Sequence, residues 1–177
     1  MSTVFSQENW EFTKRAHLAA QRQFYPLMFP GGVTFEDTTK TAQDLDYAID
    51  CQLSIAIPDL RAPIRLSVQE RFRNPRDMGY GDITVTEWNL NTNEPSEIHK
   101  LGAQMFVYGF YDKFRDHICL AVAVDVGLLQ WALSHGRITY KRQSRGDQSF
   151  LGFSYQVLHE LGAVLFIHDD RAEEEAA

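Results

Sequence analysis

Three short segments in the middle of the chain constrain the fold most, because each has the composition of a β-strand and the breaks between them are brief. Residues 45–57 are apolar with several β-branched side chains, and a proline-containing break, 58–63, separates them from residues 64–73. Residues 82–90 follow and alternate between apolar and polar side chains. We therefore expect three consecutive strands, of which the first two are antiparallel neighbours.

Helices and further strands are predicted on both sides of these segments. The predicted elements are a helix at 6–25, a loop or short edge strand at 32–43, an apolar helix at 95–114, a buried central strand at 117–126, a short helix at 127–136, one or two strands at 137–158, and a final short helix or strand at 159–170. This order predicts an α/β (α+β) fold, a single domain over residues 1–168 with a mixed central β-sheet flanked by helices. Residues 169–177 are acidic and are expected to form a disordered tail.

Composition excludes several classes of protein. The 177 residues contain 44% hydrophobic side chains, enough for one core, but no run of about 18 apolar residues that would span a membrane. The chain opens without a basic, then apolar, secretory leader, and its two cysteines have no metal-ligand spacing. We therefore expect a cytoplasmic protein with reduced thiols. The net charge of −7 argues against a general nucleic-acid coat, although arginines cluster locally.

The segment 64–73 combines a core face with a charged face. Because side chains alternate along a strand, Gln69 and Arg71 are expected to point together, while Glu70 points with the apolar residues unless a bulge shifts the register. Asp50 belongs to the preceding strand and is expected near the charged face. An aspartate and a polar strand end of this kind are often only a solvated surface, paired with a nearby arginine.

These residues resemble the motif of the PD-(D/E)XK nuclease superfamily. In that family an Asp on one strand precedes an acidic-x-Lys pair late on the next, and here Asp50 precedes Gln69-Glu70-Arg71. The predicted helix at 95–114 contains Gln104 and Tyr108, which resemble the Gln-x-x-x-Tyr helix of the lambda-exonuclease-like branch. The resemblance covers roughly residues 6–126. More loosely, the order of predicted elements in the whole chain resembles that of small restriction-endonuclease-like proteins of bacteriophages.

The resemblance implies a restriction-endonuclease-like fold and a metal-dependent deoxyribonuclease. It implies that Asp50 and Glu70 hold Mg²⁺ or Mn²⁺ with help from Gln69, that Arg71 stabilises the phosphate, and that Gln104 and Tyr108 orient these groups. A hard Mg²⁺ ion prefers oxygen ligands and needs only one or two carboxylates from the protein. The basic residues expected to contact the DNA backbone are Arg73, Arg76, Lys141, Arg142 and Arg145.

Two departures from the family pattern support an alternative function. Gln69 offers only a neutral amide oxygen, and Arg71 stays protonated and so does not act as a base. The alternative is a catalytically decayed nuclease fold that serves as an interaction or assembly protein, with a small-molecule-binding domain as a third hypothesis. An additional acid from the first helix, Glu8 or Glu11, is not selected by spacing. The apolar content leaves a homo-oligomer or a protein partner open.

Overall fold

The computed structural model describes residues 7–39, 41–58, 60–80 and 82–170. The strands are β1 Val33–Asp37, β2 Cys51–Ile55, β3 Ile64–Arg73, β4 Asp82–Asn89, β5 Glu94–Pro95, β6 Met105–Asp112, β7 His117–Asp125, β8 Lys141–Arg145, β9 Gln148–Ser154 and β10 Val164–Asp169. The α-helices are α1 Gln7–Gln23, α2 Tyr25–Met28, α3 Ala42–Tyr47, α4 Glu97–Lys100, α5 Val126–Ser134 and α6 Tyr155–Glu160, and a 3₁₀ helix spans Pro75–Tyr80. None of these helices is both long and apolar enough to cross a membrane.

The strands form two sheets. The six-stranded sheet has the order β1-β2-β3-β6-β7-β10, and the four-stranded sheet has the order β5-β4-β9-β8. The β3–β6 pair is parallel, and every other pair is antiparallel. Parallel neighbours require a crossover, which here includes β4, β5 and α4. The six-stranded sheet is therefore mixed, as the sequence predicts.

Each face of the six-stranded sheet covers a separate hydrophobic cluster. On one face, α1 packs its small residues Ala16, Ala19 and Ala20 against β2, β3, β6 and β7. On the other face, side chains of β6 and β7 pack against β4, β9, α5 and α6. Leu66, Val68 and Phe72 of β3 all belong to the cluster on the α1 face, so the strand presents different chemistry to each side of the sheet.

Several elements confirm the sequence predictions. β3 has the predicted bounds 64–73, and β1 is an edge strand within 32–43. β7 is a buried inner strand, and α5 is the predicted short helix. The final segment, 159–170, is mainly the strand β10, and α6, which ends at Glu160, occupies the end of the preceding segment, where only strands were expected. Asp169 ends β10, whereas residues 171–177 of the predicted tail lie outside the described residues.

Two predicted elements are wrong. The helix expected at 95–114 is a four-residue helix, α4, followed by strand β6, and the strand expected at 45–57 begins only at Cys51, after α3. A continuous apolar run does not distinguish a helix from a buried strand. β6 lies between β3 and β7 with both of its faces covered, and its aromatic and β-branched residues favour that position.

Candidate functional site

The polar residues of β3 are divided between the two faces of the six-stranded sheet, as the alternation predicts. Glu70 faces α1, where it contacts His17 and Tyr25. Gln69 and Arg71 face the opposite side, where both contact Glu97. Glu70 therefore does not share a face with the other two residues of the resembling motif.

Glu70 lies at the centre of a compact group of polar side chains that we call the Glu70 cluster: His17, Tyr25, Asp50, Cys51 and Glu70. The Glu70 side chain is only 4% exposed. One carboxylate oxygen, Oε2, lies 2.5 Å from His17 Nδ1, and the other, Oε1, accepts a hydrogen bond of 2.5 Å from the Tyr25 hydroxyl. A buried carboxylate needs such donors, because its desolvation is otherwise costly.

His17 is positioned by its own helix. Gln21 is four residues further along α1, on the same face, and its amide nitrogen lies 2.7 Å from His17 Nε2. Burial lowers the pKa of His17, but the hydrogen bond to Glu70 and the charges of Glu70, Asp37 and Asp50 outweigh this effect, so the pKa is raised above its ordinary value. The imidazole is therefore held by partners at both nitrogen atoms.

Asp50 precedes β2 and reaches the backbone of β3. Its Oδ2 atom accepts a 2.7 Å hydrogen bond from the amide of Glu70. Burial raises the pKa of Asp50 to about 8, and although this amide bond opposes the shift, the negative charge of Glu70 adds to it. The buried Asp50 carboxyl therefore tends to keep its proton in the metal-free protein, and a nearby cation would favour its ionisation.

Tyr25 and Cys51 complete the cluster as neutral groups. Burial, followed by the charge of Glu70, raises the pKa of the Tyr25 hydroxyl well above its ordinary value and also raises the pKa of the Cys51 thiol. One potential ligand atom from each of His17, Cys51 and Glu70 lies within 4.8 Å of the others, the one such group found in the described parts of the chain. Asp50 is adjacent to this group but is not a member of it.

The opposite face of β3 contains a buried ion pair. Arg71 Nη1 donates to Glu97 Oε2, and the side chains of this pair are 17% and 11% exposed. The same Glu97 oxygen accepts from Thr86, at 3.1 Å from its amide and 2.9 Å from its hydroxyl. Gln69 Nε2 lies 3.4 Å from the other oxygen. The Arg71 guanidinium is therefore already ion-paired with Glu97.

The predicted pair of Gln104 and Tyr108 is not on a helix. Gln104 lies immediately before β6, where its Oε1 atom accepts a 3.1 Å hydrogen bond from the amide of Ser67. Tyr108 is on β6, and its hydroxyl lies 3.2 Å from Thr84 Oγ1. The Gln-x-x-x-Tyr helix expected from the resemblance is therefore wrong for this chain, because Tyr108 lies on strand β6 and Gln104 precedes that strand.

The basic residues predicted to contact DNA occupy three different environments. Arg73 is half-buried at the end of β3, and Arg76 is exposed beside Asp77. Lys141, Arg142 and Arg145 are exposed on the edge strand β8. Arg142 forms two hydrogen bonds with Glu87, of 2.7 Å and 2.6 Å, and these hydrogen bonds lower the pKa of Glu87.

Sequence patterns did not identify His17, Tyr25 or Glu97 as site residues. His17 and Tyr25 are 53 and 45 residues from Glu70, and Glu97 is 26 residues from Arg71. No local motif links positions so far apart. The two helical acids considered for the site are elsewhere: Glu8 binds Lys113 and Glu11 binds Gln7.

Comparison with known proteins gives little direct evidence on function. No protein-family model and no curated protein sequence matches this chain. Among solved structures, the chain is similar to a nuclease from a fusselovirus, with 11% sequence identity and a TM-score of 0.37. That similarity covers 89% of this chain and 87% of the other. Similarity at this level assigns no activity to this chain.

Proposed function

We propose that the chain is a metal-dependent nuclease that hydrolyses DNA phosphodiester bonds, with Asp50, Glu70 and His17 as the metal-binding residues. The observation that carries this proposal is the position of the Glu70 carboxylate. It is buried between His17 Nδ1 and the Tyr25 hydroxyl, and its own amide binds Asp50. Two buried carboxylates beside one imidazole would neutralise a bound divalent cation. The cation would in turn offset the cost of burying their negative charge.

The donor atoms fit a divalent cation of the Mn²⁺ or Mg²⁺ class. Carboxylate oxygens suit both ions, and an imidazole nitrogen favours Mn²⁺ over Mg²⁺. Burial raises the pKa of the Cys51 thiol, and soft sulfur ligands do not suit Mg²⁺ or Mn²⁺, so Cys51 is not included in this donor set. Two atoms bound to one ion lie about 3 Å apart. His17 Nδ1 and Glu70 Oε2, now 2.5 Å apart, would therefore separate by about 0.5 Å.

The surrounding residues hold this donor set in place. Tyr25 stays neutral and donates a hydrogen bond to Glu70 Oε1, which fixes the orientation of the carboxylate. The second oxygen, Oε2, has two lone pairs, and the one not directed at His17 can bind a metal. Gln21 orients the His17 ring, and the amide of Glu70 holds the Asp50 carboxylate. Such supporting hydrogen bonds fix the orientation of metal ligands and raise their basicity.

The metal would supply electrostatic stabilisation of the phosphate and a more acidic bound water. On the same side of the sheet, Lys14 lies three residues before His17 on α1, and its charge helps to lower the pKa of Asp37 at the end of β1. At the position of the family's lysine this chain has Arg71, which is paired with Glu97 on the other face of β3. A lysine that serves the attacking water is therefore not part of the proposed site.

Metal binding and cleavage are best tested together. With Mn²⁺ at about 100 times its dissociation constant, the wild-type protein gains about 2.7 kcal/mol, which for a chain of this size raises the melting temperature by about 5–10 °C over the protein in EDTA. Glu70→Gln and His17→Gln should each lose most of this shift. Cleavage of plasmid and single-stranded DNA should fall with both variants and with Asp50→Asn.

Glu94→Gln is the matched control, because Glu94 is an exposed acid on β5, away from the Glu70 cluster. This variant should keep both the metal-induced shift and any cleavage. The proposal is wrong if Mn²⁺ and Mg²⁺ change neither the melting temperature nor the DNA. Equal cleavage by the wild type and all four variants would identify a contaminating nuclease.

A second candidate, the decayed nuclease fold, is favoured by two specific observations. Gln69 and Arg71 replace the acid and the lysine of the family motif, and Arg71 is paired with Glu97 on the opposite side of the sheet from Glu70. In this case the Glu70 cluster stabilises the packing of α1 on the sheet. A metal-induced rise in melting temperature without cleavage of any DNA substrate would support this candidate over an active enzyme.

A further inference from the structure

Arg71 and Arg73 place two guanidinium groups against one aromatic ring. The two residues are on the same face of β3, and their Cζ atoms lie 5.6 Å and 5.7 Å from the centroid of the Phe150 ring, which belongs to β9. Cations are attracted to the face of such a ring, but they repel each other. Burial and then the charge of Arg71 lower the pKa of Arg73 from its ordinary value.

Glu97 neutralises only one of these two cations. Its Oε2 atom accepts hydrogen bonds from Arg71 and from both the amide and the hydroxyl of Thr86, and its Oε1 atom accepts from Gln69. With these donors in place, the carboxylate has little remaining capacity for Arg73. The local group therefore carries a surplus positive charge.

Arg73 has no carboxylate within ion-pair distance among the residues that the structure describes. Its Nη2 atom donates to Thr84 Oγ1 at 3.2 Å, and its side chain also hydrogen-bonds Tyr108, so these two partners account for two of its five N–H groups. The Nε atom of Arg71 is buried and has no acceptor among the described residues. A half-buried cation with unfilled donors is costly, and a bound anion would remove that cost.

The rim of this region is also basic. In the four-stranded sheet Gln143 pairs with Phe150, so the alternate residues of β8 that flank Gln143 share its face, and these are Lys141 and Arg145. All three β8 residues are exposed. Two acids of the four-stranded sheet share this face: Asp82, two residues before Thr84, and Glu94, whose partner Asn89 pairs with Gln148. Cations thus outnumber carboxylates around Arg73, which favours an anionic ligand.

We propose that Arg73, with Thr84 and the free Nε–H of Arg71, forms a binding site for a phosphate group beside Phe150. A guanidinium matches the oxygens of a phosphate in geometry as well as in charge. The phosphate belongs to a small ion or to a nucleotide chain, and Lys141 and Arg145 attract either. This phosphate site is on the opposite face of β3 from the Glu70 cluster, so it does not depend on metal binding or on nuclease activity.

Phosphate binding is measured by calorimetry and by thermal melting in EDTA, with sodium chloride at the same ionic strength as a control for screening. Wild type is expected to bind inorganic phosphate, and Arg73→Gln to bind it at least tenfold more weakly. Arg76→Gln is the matched control, since Arg76 is exposed on the following 3₁₀ helix. Arg73→Lys keeps the charge but loses the planar fork, so it should show an intermediate loss.

The source of the phosphate is distinguished with two oligothymidines that differ only in a 5′-phosphate. Tighter binding of the phosphorylated strand than of inorganic phosphate supports a nucleotide chain as the ligand, and equal affinity supports a free ion. Glu70→Gln should bind phosphate as the wild type does, even where it abolishes metal binding. Absence of phosphate binding by the wild type at about 10 mM, or unchanged binding by Arg73→Gln, overturns the proposal.

Chemical modification of the wild-type protein tests the site without a variant that has to fold. Phenylglyoxal reacts with arginines, and the modified peptides are identified by mass spectrometry. Phosphate should reduce modification of Arg73 at least threefold and leave Arg76 unaffected. Equal protection of both arginines, or of neither, contradicts a site at Arg73.

Discussion

His17 and Glu70 join the first helix to the centre of the six-stranded sheet, with Nδ1 and Oε2 2.5 Å apart. The two residues are 53 positions apart in the chain, and both are largely buried. This contact fixes the position of α1 where Asp50 also reaches β3. The charge state of this pair therefore affects both the packing of the helix and the proposed metal site.

Replacement of Glu70 by glutamine should change the titration of His17. The pKa of His17 is raised because the hydrogen bond and charge of Glu70 outweigh burial, which acts in the opposite direction. Without that negative charge burial dominates, so we expect the pKa of His17 to fall below its ordinary value of about 6.5. An NMR titration of the histidine rings in the metal-free protein measures this change.

Tyr25→Phe is the control for that experiment. It removes a hydrogen bond to Glu70 but keeps the carboxylate, so the pKa of His17 should stay raised. The loss of the hydroxyl should cost about 1–2 kcal/mol of stability. A raised His17 pKa in Glu70→Gln would show that other acids, Asp37 or Asp50, are its main partners.

The metal-free protein should lose stability as the pH rises from 5 to 8. Asp50 has a pKa of about 8 when folded, so over this range the folded chain holds a proton that the unfolded chain has released. Stability then falls by up to about 1.4 kcal/mol per pH unit from this group. His17 acts in the same direction. Because its pKa is raised in the folded state, its protonation stabilises the fold fully below about pH 6.5. This contribution is lost as the pH rises through the folded-state pKa.

Urea unfolding in EDTA at several pH values measures this dependence. Asp50→Asn removes the titrating group, so its stability should change less steeply with pH than that of the wild type. Asp37, Glu87 and Asp116 have lowered pKa values and are ionised in both states above pH 5, so they add no slope in this range. Parallel curves for the two proteins would contradict the raised pKa of Asp50.

The sequence predicts local structure well where alternation is strong. The bounds of β3 and the separation of Glu70 from Gln69 and Arg71 follow from a period of two. β6 could not be assigned in this way, because a strand with neighbours on both sides and both faces covered has no alternation to detect. Whether this segment forms a strand or a helix depends on its pairing with β3 and β7, and no short window of sequence contains those partners.

The candidate site was predictable only in part. Alternation placed Asp50 near Gln69 and Arg71, whereas the resemblance placed it with Glu70, and the Glu70 amide does donate a hydrogen bond to Asp50. The partners of Glu70 depend on how α1 packs across the sheet, and the partner of Arg71 depends on the crossover that contains α4. Such contacts arise from tertiary structure, so residue spacing does not reveal them.

Removal of the Glu97 charge should destabilise the protein strongly. In Glu97→Gln, Arg71 keeps its charge in a largely buried position but loses its carboxylate partner. We expect a loss of about 2–4 kcal/mol, measured by urea unfolding. Glu94→Gln, at an exposed position, should stay within about 0.5 kcal/mol of the wild type. The double variant Arg71→Met with Glu97→Met should be more stable than Glu97→Gln, because it leaves no unpaired charge.

Gly109, on β6, should be intolerant of any side chain. A Cβ atom there would lie 2.8 Å from Phe72 Cε1 and 2.9 Å from the backbone oxygen of Leu120. The phenyl ring can turn aside, but the carbonyl is held in the sheet, so we expect Gly109→Ala to cost about 1–3 kcal/mol and to lower the melting temperature by about 2–10 °C.

Gly152, on β9, is the matched control for Gly109. Its nearest neighbours would lie 3.8 Å from an added Cβ, which is ordinary van der Waals contact. Gly152→Ala should therefore be neutral or slightly stabilising, since alanine loses less conformational entropy on folding than glycine. Adding Phe72→Leu to Gly109→Ala removes the ring contact but not the contact with the Leu120 oxygen, so it should restore only part of the loss. Full recovery would show that the ring, and not the packed backbone of β7, excludes a side chain at this position.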